Sequence, residues 1–526
     1  MFETVEKRVG RILRDGHESV LAGSAIGLEK ETLRVNAEGK IAQTPHPQQL
    51  GSPLTHPWIT TDYSEALTEI ITPPCDSAAN ALAFLRDTQV FVYGHLGEEL
   101  LWATSMPCVV AGETSIPIAQ YGSSNAGQMK TIYRRGLGYR YGRTMQVIAG
   151  VHFNYSMSPA FWSVYQSMEG DRQTPTEFRS SHYMGLVRNL QRLGWLVPYL
   201  FGASPAVCKS FLGGQPTQLD AFNDNTYYGP WATSLRMGDI GYQNNKEAEI
   251  GFKANYDSVH TYAASLEYAI STSCPEYEKI GLIVDGEYRQ LNTNILQVEN
   301  EYYSTIRPKH KPDGDERPAL ALMRGVDYVE LRSLDVNAFA PLGIHESQLD
   351  FLEAFLVFCL LDDSPLISVN ERHEIDNNEL LAAHRGREPD LRLARNGRTI
   401  TLRDWALEVC DGMEIVCDVL DRANDTDRYQ RTLAQQREVI RDTEATPSAR
   451  MLQEMRDNRE GFFHFAWRMS KAHEAFFKQA DLSPQRATFF SEAAARSRQR
   501  QAELEASDAL SFEEYLRRYY EKPPVR

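Results

Sequence analysis

The stretch Met145-Gln146-Val147-Ile148-Ala149-Gly150-Val151-His152-Phe153-Asn154-Tyr155-Ser156 has the clearest alternation in the chain. Successive side chains of a strand point to opposite faces, so Met145, Val147, Ala149, Val151, Phe153 and Tyr155 form one face, which reads as core. Gln146, Ile148, Gly150, His152, Asn154 and Ser156 form the other, which can line a polar cavity. His152 is either a satisfied structural histidine or a ligand. The glutamine, the asparagine and the glycine that share its face add weight to the second reading.

Three further stretches carry the same kind of signal. Ile26-Gly27-Leu28-Glu29-Lys30-Glu31-Thr32-Leu33-Arg34-Val35 has β-compatible ends, and a strand there places Glu29 and Glu31 on one face. Two like charges side by side repel unless they are solvated or share a cation, so the pair is an exposed strand face or half a metal site. In Asp62-Tyr63-Ser64-Glu65-Ala66-Leu67-Thr68-Glu69-Ile70-Ile71-Thr72-Pro73-Pro74, Asp62 can cap a short helix that the prolines stop. A helical period then stacks Asp62, Glu65 and Glu69 along one side, with a solvated face the plain reading, above all for Glu65. In Tyr328-Val329-Glu330-Leu331-Arg332-Ser333-Leu334-Asp335, Glu330 and Arg332 share a strand face. They are an ion pair across the pleat, or a cation ligand beside a guanidinium for a phosphoryl group.

The chain has 526 residues, enough for a large core and for two or so domains. Its 55 basic and 71 acidic residues give a net charge of −16, which argues against nucleic acid and anionic membrane surfaces and for a small metabolite. No apolar run approaches the roughly twenty residues needed to span a bilayer. The start, Met1 to Arg8, reads as a charged amphipathic helix rather than a signal peptide, so the expected setting is the cytoplasm. Seven scattered cysteines, Cys75, Cys108, Cys208, Cys274, Cys359, Cys410 and Cys417, with no C-x-x-C pair, read as reduced thiols.

Composition shifts near Asn370. Strand-like and glycine-bearing segments precede it, and charged stretches of helical period follow, such as 402–420 and 426–441. The expected division is a catalytic α+β part, residues 1–370, and a mostly helical part, 371–526, packed on it. Ile283-Val284-Asp285-Gly286-Glu287-Tyr288 is a hairpin signal and implies antiparallel pairing, and the proline- and charge-rich 307–318 reads as an exposed loop.

Familiar nucleotide motifs are missing. Gly122-Ser123-Ser124-Asn125-Ala126-Gly127-Gln128-Met129 has P-loop glycine spacing without the lysine and hydroxyl that hold phosphate and magnesium. No G-x-G-x-x-G follows a strand, and there is no H-E-x-x-H. What remains is an oxygen-rich set, Glu29, Glu31, Asp62, Glu69, His152 and Glu330, mostly hard ligands of the kind that favour magnesium or manganese over zinc.

Six segments then carry a family resemblance: 27–34 (Gly-Leu-Glu-Lys-Glu-Thr-Leu-Arg), 58–62 (Trp-Ile-Thr-Thr-Asp), 119–125, 150–154 (Gly-Val-His-Phe-Asn), 198–205 and 329–335 (Val-Glu-Leu-Arg-Ser-Leu-Asp). Together they resemble the bacterial glutamate-cysteine ligases of the first type, the gamma-glutamylcysteine synthetases, from about Gly23 to about Leu360. The resemblance implies an α+β fold of the glutamine synthetase-like, carboxylate-amine ligase kind, with a curved, mainly antiparallel sheet forming a funnel and a helical C-terminal part. It implies that ATP, L-glutamate and L-cysteine give γ-glutamylcysteine, ADP and phosphate, the first step of glutathione biosynthesis, with magnesium, or manganese, as cofactor. On this pattern Glu29, Glu31, Asp62, Glu69, His152 and Glu330 match metal-holding positions and Arg332 the arginine facing the transferred phosphoryl group. Arg236 matches an arginine near glutamate, and Tyr133, Arg134, Ile148, Tyr242 and Tyr303 match positions near the two amino acids.

Elementary chemistry agrees with that assignment. A carboxylate is a poor acyl donor and must first be phosphorylated, which needs cations and Arg332 around the phosphoryl oxygens; Asp62 is placed to hold the incoming ammonium. A ligase joining glutamate to another amine, or a metal or nucleotide sensor without turnover, are the rival readings. The expected partners are small molecules alone, with feedback inhibition by glutathione, and the expected assembly is a monomer.

Overall fold

A computed structural model describes residues 2–240, 251–314 and 316–521. The described residues form a seven-stranded sheet from β1 (Ala25–Val35), β2 (Ile59–Thr61), β3 (Leu67–Ile71), β4 (Leu100–Leu101), β5 (Gly150–Ser156), β6 (Ile306–Lys309) and β7 (Tyr328–Asp335). Its order is β6-β7-β5-β1-β3-β2, with β4 also on β1, and every pairing is antiparallel. The expected alternation is present from Gly150 to Ser156 but not over Met145 to Ala149: one face of the sheet, with Ile26, Leu28, Ile70, Val151, Phe153, Tyr155, Val329 and Leu331, is buried in the main core. Beneath it, helix Glu346–Leu361 is buried from Gln348 to Leu361 and packs against helices Pro175–Leu193, Leu402–Asn424 and Arg428–Arg441. A helix apolar on all sides belongs inside a core. Among the described residues no helix is long and apolar enough to cross a membrane.

The expected hairpin is present at Ile283–Val284 and Glu287–Tyr288, closed by Asp285 and Gly286, both at positive φ. The N-terminal amphipathic helix is present too, with Val5, Val9 and Ile12 buried. After Asn370 the described residues form helices and the small hairpin Arg392–Thr401.

Four readings of the sequence need correction. The segment after Asp62 is a strand hairpin, not a helix: β2 ends at Thr61 and β3 returns from Leu67. The β-branched Ile59, Thr60, Thr61, Thr68, Ile70 and Ile71 suit the pleat, and pairing with β1 satisfies their backbone more fully than a two-turn helix would. Glu65 is accordingly not on a solvated face; it is buried in the turn, accepting the N–H groups of His46 at 2.8 Å and Gln120 at 2.8 Å. Residues 307–318 are not wholly an exposed loop, because Arg307, Pro308 and Lys309 belong to β6 and Arg317 is fully buried beside Glu299. Proline misled the reading here, since β6 is an edge strand, where a residue without an N–H is tolerated. Finally, Cys108 and Cys208, 100 residues apart in sequence, form a disulfide with Cα atoms 5.5 Å apart, while Cys75, Cys274, Cys359, Cys410 and Cys417 are free thiols. No local spacing announces a pair that meets only through the tertiary fold.

Candidate active site

The second face of the sheet collects the charged side chains. Register decides which of them meet: Glu29 lies opposite His152, Glu31 opposite Glu69, and Glu330 opposite both Asn154 and Arg307. Partners directly across an antiparallel ladder share a face, so Glu29, Glu31, Glu69, His152, Asn154, Glu330 and Arg307 form one polar floor. His152 Nδ1 lies 2.9 Å from Glu29 Oε2 and 3.6 Å from Glu330 Oε1, and its Nε2 lies 3.6 Å from Glu31 Oε1. Asn154 donates to the other Glu29 oxygen at 2.9 Å. Arg332 and Lys309 flank Glu330 at 3.0 and 3.3 Å.

This floor fits divalent cations. Glu29, His152 and Glu330 each offer a ligand atom within 4.8 Å of the others, and the Glu31 and Glu69 carboxylates face one another across the ladder. Like charges directly opposite destabilise a sheet unless a counter-ion sits between them. The titration pattern carries the same message. Burial pushes the Glu69 carboxyl well up, and the Glu29, Asp62 and Glu31 charges push it further. Burial likewise raises Glu31. Burial and Glu330 also act to raise Glu29, yet its hydrogen bond and charge interaction with His152 hold it below the usual range. Glu330 is held well below that range, because Lys309, Arg332 and His152 outweigh the cost of its burial.

A cavity of about 450 Å³ opens over the floor. Five carboxylates, Glu29, Asp62, Glu69, Glu299 and Glu330, and five cationic side chains, Lys130, Arg134, Arg307, Lys309 and Arg332, line it together with His152. Apolar and aromatic residues close it elsewhere: Met129, Tyr133, Leu137, Val298, Pro318, Tyr515 and Tyr519. Asp62 reaches this cavity from the turn after β2, where its carbonyl accepts from Tyr121 Oη at 3.1 Å and from Arg134 Nε.

The remaining sequence candidates are spread around this centre. Tyr133 and Arg134, on helix Asn125–Tyr141, line the cavity. Arg236 is buried and donates to the Arg332 carbonyl at 2.9 Å. Ile148 is buried in the main core and is not among the cavity-lining residues, and β5 begins at Gly150, with Met145–Val147 a 3-10 turn. Tyr303 is half-buried, its hydroxyl 3.7 Å from Met237 Sδ, and it too is not a lining residue. Tyr242 lies outside the described residues.

Several members of the site were not read from the sequence. Arg307 and Lys309 stand two apart on β6 and face Glu330, a strand signature hidden by the proline between them. Tyr515 and Tyr519 come from the last described helix, Phe512–Tyr520, whose Leu516 is buried with Met129, Ile132 and Leu291. Its aromatic face looks like ordinary amphipathic packing in the sequence, and no spacing links it to the sheet.

Comparison with known proteins completes the description. A family model described as glutamate-cysteine ligase matches residues 9–381. The glutamate-cysteine ligase of Alcanivorax borkumensis is 45% identical over 522 residues, which is 98% of this chain and 99% of that protein. That of Pseudomonas putida KT2440 is 47% identical over 494 residues, 94% of each. Among solved structures, a Francisella tularensis glutamate-cysteine ligase in complex with AMP matches with a TM-score of 0.89 at 36% identity, covering 95% of this chain and 98% of that one. A bifunctional glutathione synthetase from Pasteurella multocida shares the fold, with a TM-score of 0.73 at 23% identity over 92% of this chain and 58% of its own length.

Proposed function

The chain belongs to the glutamate-cysteine ligase family, and from that premise we propose how its own residues join the γ-carboxylate of L-glutamate to the amine of L-cysteine. The reaction consumes ATP and yields γ-glutamylcysteine, ADP and phosphate, the first step of glutathione biosynthesis. The observation that carries the reading is the placement of Glu330 on β7 between two cations, Arg332 and Lys309, and beside the Glu29–His152 pair. Carboxylates that hold a cation and guanidinium or ammonium groups that hold phosphate must lie within a few ångströms of each other for phosphoryl transfer to a carboxylate.

Glu29, Glu31, Glu69 and Glu330, with the imidazole nitrogen of His152, would hold divalent cations, magnesium by the predominance of hard carboxylate oxygens, with manganese an alternative. Such ions, when bound, neutralise the repulsion between the γ-carboxylate and the ATP γ-phosphate. Arg332 faces the same region as Glu330 and stabilises the phosphoryl oxygens as glutamate becomes the γ-glutamyl phosphate. Arg307 and Lys309 extend the cationic wall toward the other phosphates. Met129, Val298, Pro318, Tyr515 and Tyr519 supply apolar walls suited to the nucleobase. Arg236 meets the glutamate carboxylate with its fork, Tyr133 and Arg134 flank the amino acids in the cavity, and Asp62 holds the cysteine ammonium before its nitrogen attacks.

We take a monomer as the working unit, and the need for ATP supports a cytoplasmic setting. Glutathione carries the product's γ-glutamylcysteine moiety and fits as a feedback inhibitor of the same pocket. The deciding experiment is ADP release by the full chain across pairs of amino acids. Release should require magnesium and glutamate, and be fastest with cysteine. Equal rates with unrelated amines would reassign the second substrate, and nucleotide binding without release would make the protein a sensor.

A further inference from the structure

Asp335 ends β7 and is buried, yet it belongs neither to the polar floor nor to the apolar core. Its parity along the strand differs from that of Glu330 and Arg332, so a regular strand would turn it to the core face. An irregularity in register between Leu331 and Leu334 resets the alternation: Leu334 pairs with the core residue Val151, and Asp335 pairs with Gly150 on the site face.

The Asp335 carboxylate accepts three hydrogen bonds there, from Ser204 Oγ at 2.6 Å, Ala203 N at 2.8 Å and Ser234 Oγ at 2.9 Å. Both hydroxyls are relays. Ser204 Oγ accepts from Arg236 N at 3.3 Å, and Ser234 Oγ accepts from Met237 N at 3.2 Å. A hydroxyl has one proton, so donating it to the carboxylate directs its lone pairs to the main-chain N–H groups of the turn that bears Arg236. The Arg236 side chain is then laid across the sheet over Gly150, where any Cβ would collide with the guanidinium, and donates to the Arg332 carbonyl at 2.9 Å. Its Nε is buried and has no hydrogen-bond partner among the described residues, so a planar donor is held ready for an anion.

We propose that Asp335 is the positioning residue for Arg236: through Ser204 and Ser234 it sets the guanidinium at the angle that receives the substrate carboxylate. The inference rests on the reading of Arg236 as the glutamate-binding arginine. Asp335 itself touches no substrate; it is the anchor, the two serines are the links, and Gly150 is the gap through which Arg236 reaches the floor. The two sequence segments 198–205 and 329–335 thereby acquire a shared task, since they supply one link, Ser204, and the anchor, Asp335.

The test is steady-state kinetics on the full chain for Ser234→Ala, Asp335→Asn and Arg236→Lys, with melting curves alongside. Ser234→Ala removes one link and keeps the buried charge, so it remains informative if Asp335→Asn does not fold. The expected result is a KM for glutamate raised about tenfold in Ser234→Ala, with KM for ATP and cysteine changed less than about twofold. In the Arg236→Lys background the same serine change should add little, because the fork it aims is already gone. If Arg236→Lys leaves KM for glutamate unchanged, the glutamate role of Arg236 falls and the positioning role with it. If Arg236→Lys raises that KM while Ser234→Ala lowers only the melting temperature, Arg236 keeps its role and Asp335 is merely structural.

Discussion

Glu31 faces Glu69 across a backbone ladder, with the Glu31 carboxylate also accepting the Gly150 N–H at 2.6 Å. Two carboxylates fixed in that way repel when no cation lies between them, and a change of one to its amide separates binding from folding. Glu69→Gln should raise the melting temperature measured in a chelator and shrink the further rise produced by magnesium. A full magnesium response in that variant would remove Glu69 from the cation site. At Glu29 and Glu330 the substitution to glutamine should abolish most turnover and leave circular dichroism unchanged, since each carboxylate has neighbours that need its charge. Arg332→Lys keeps a charge and loses the planar fork. Its deficit should fall on kcat, by about a hundredfold, whereas a change confined to KM for ATP would mean ground-state anchoring.

The elements of the site differ in how they are held. β1, β5 and β7 lie inside the sheet and bring their residues with the ladder, but among the described residues helix Phe512–Tyr520 is attached through side chains alone, with Leu516 buried against Met129, Ile132 and Leu291. It is short, is also held by Tyr520 donating to the Gln297 carbonyl at 2.7 Å and by Phe512 against Tyr288, and carries two of the cavity-lining tyrosines. Tyr519→Ala should therefore raise KM for ATP by about fivefold if an aromatic wall is worth about a kilocalorie per mole to a nucleobase, with KM for glutamate nearly unchanged. Equal effects on both substrates would show that this helix supports the whole funnel rather than its nucleotide end. The β2–β3 hairpin teaches the converse. Asp62 and Glu69 reach the cavity through a turn and a strand rather than along one helix face, which is why Glu65 is drawn off to bind His46 and Gln120.

At the scale of the whole molecule, acid should be a stronger stress than alkali in one defined window. Burial, the Arg34 charge and His56 push His46 from the ordinary 6.5 down to about 3, and burial with Arg496 pushes His56 down to about 4. Below pH 6.5 the unfolded chain takes up these protons while the folded chain does not, so stability falls as the pH drops and is recovered above 6.5. Each histidine costs up to about 1.4 kcal/mol per pH unit in that range. Urea melts between pH 7 and pH 4.5 should show a shallower loss for His46→Leu than for the parent, and parallel curves would exclude His46 as a source. We also propose that residues 1–370 are the catalytic body and 371–526 a helical jacket, with the qualification that Tyr515 and Tyr519 make the jacket part of the site.

What the sequence determined by itself was which side chains share a face along β1, β5 and the first half of β7. A period of two placed Glu29 with Glu31, Glu330 with Arg332 and His152 with Asn154 on shared faces, and the structure keeps all three pairs on its polar floor or beside it. The hairpin at Asp285-Gly286 was legible for the same reason, because turn chemistry is written in adjacent residues. What only the tertiary structure decided was the register between strands: Glu31 against Glu69, Arg307 against Glu330, and the irregularity in β7 that turns Asp335 toward Gly150. The Cys108–Cys208 bond and the arrival of Tyr519 at the cavity belong to the same class. A local pattern says which face a side chain occupies; which faces meet is chosen by the burial of the entire core, through contacts between residues tens to hundreds of positions apart, and no window of sequence contains that sum.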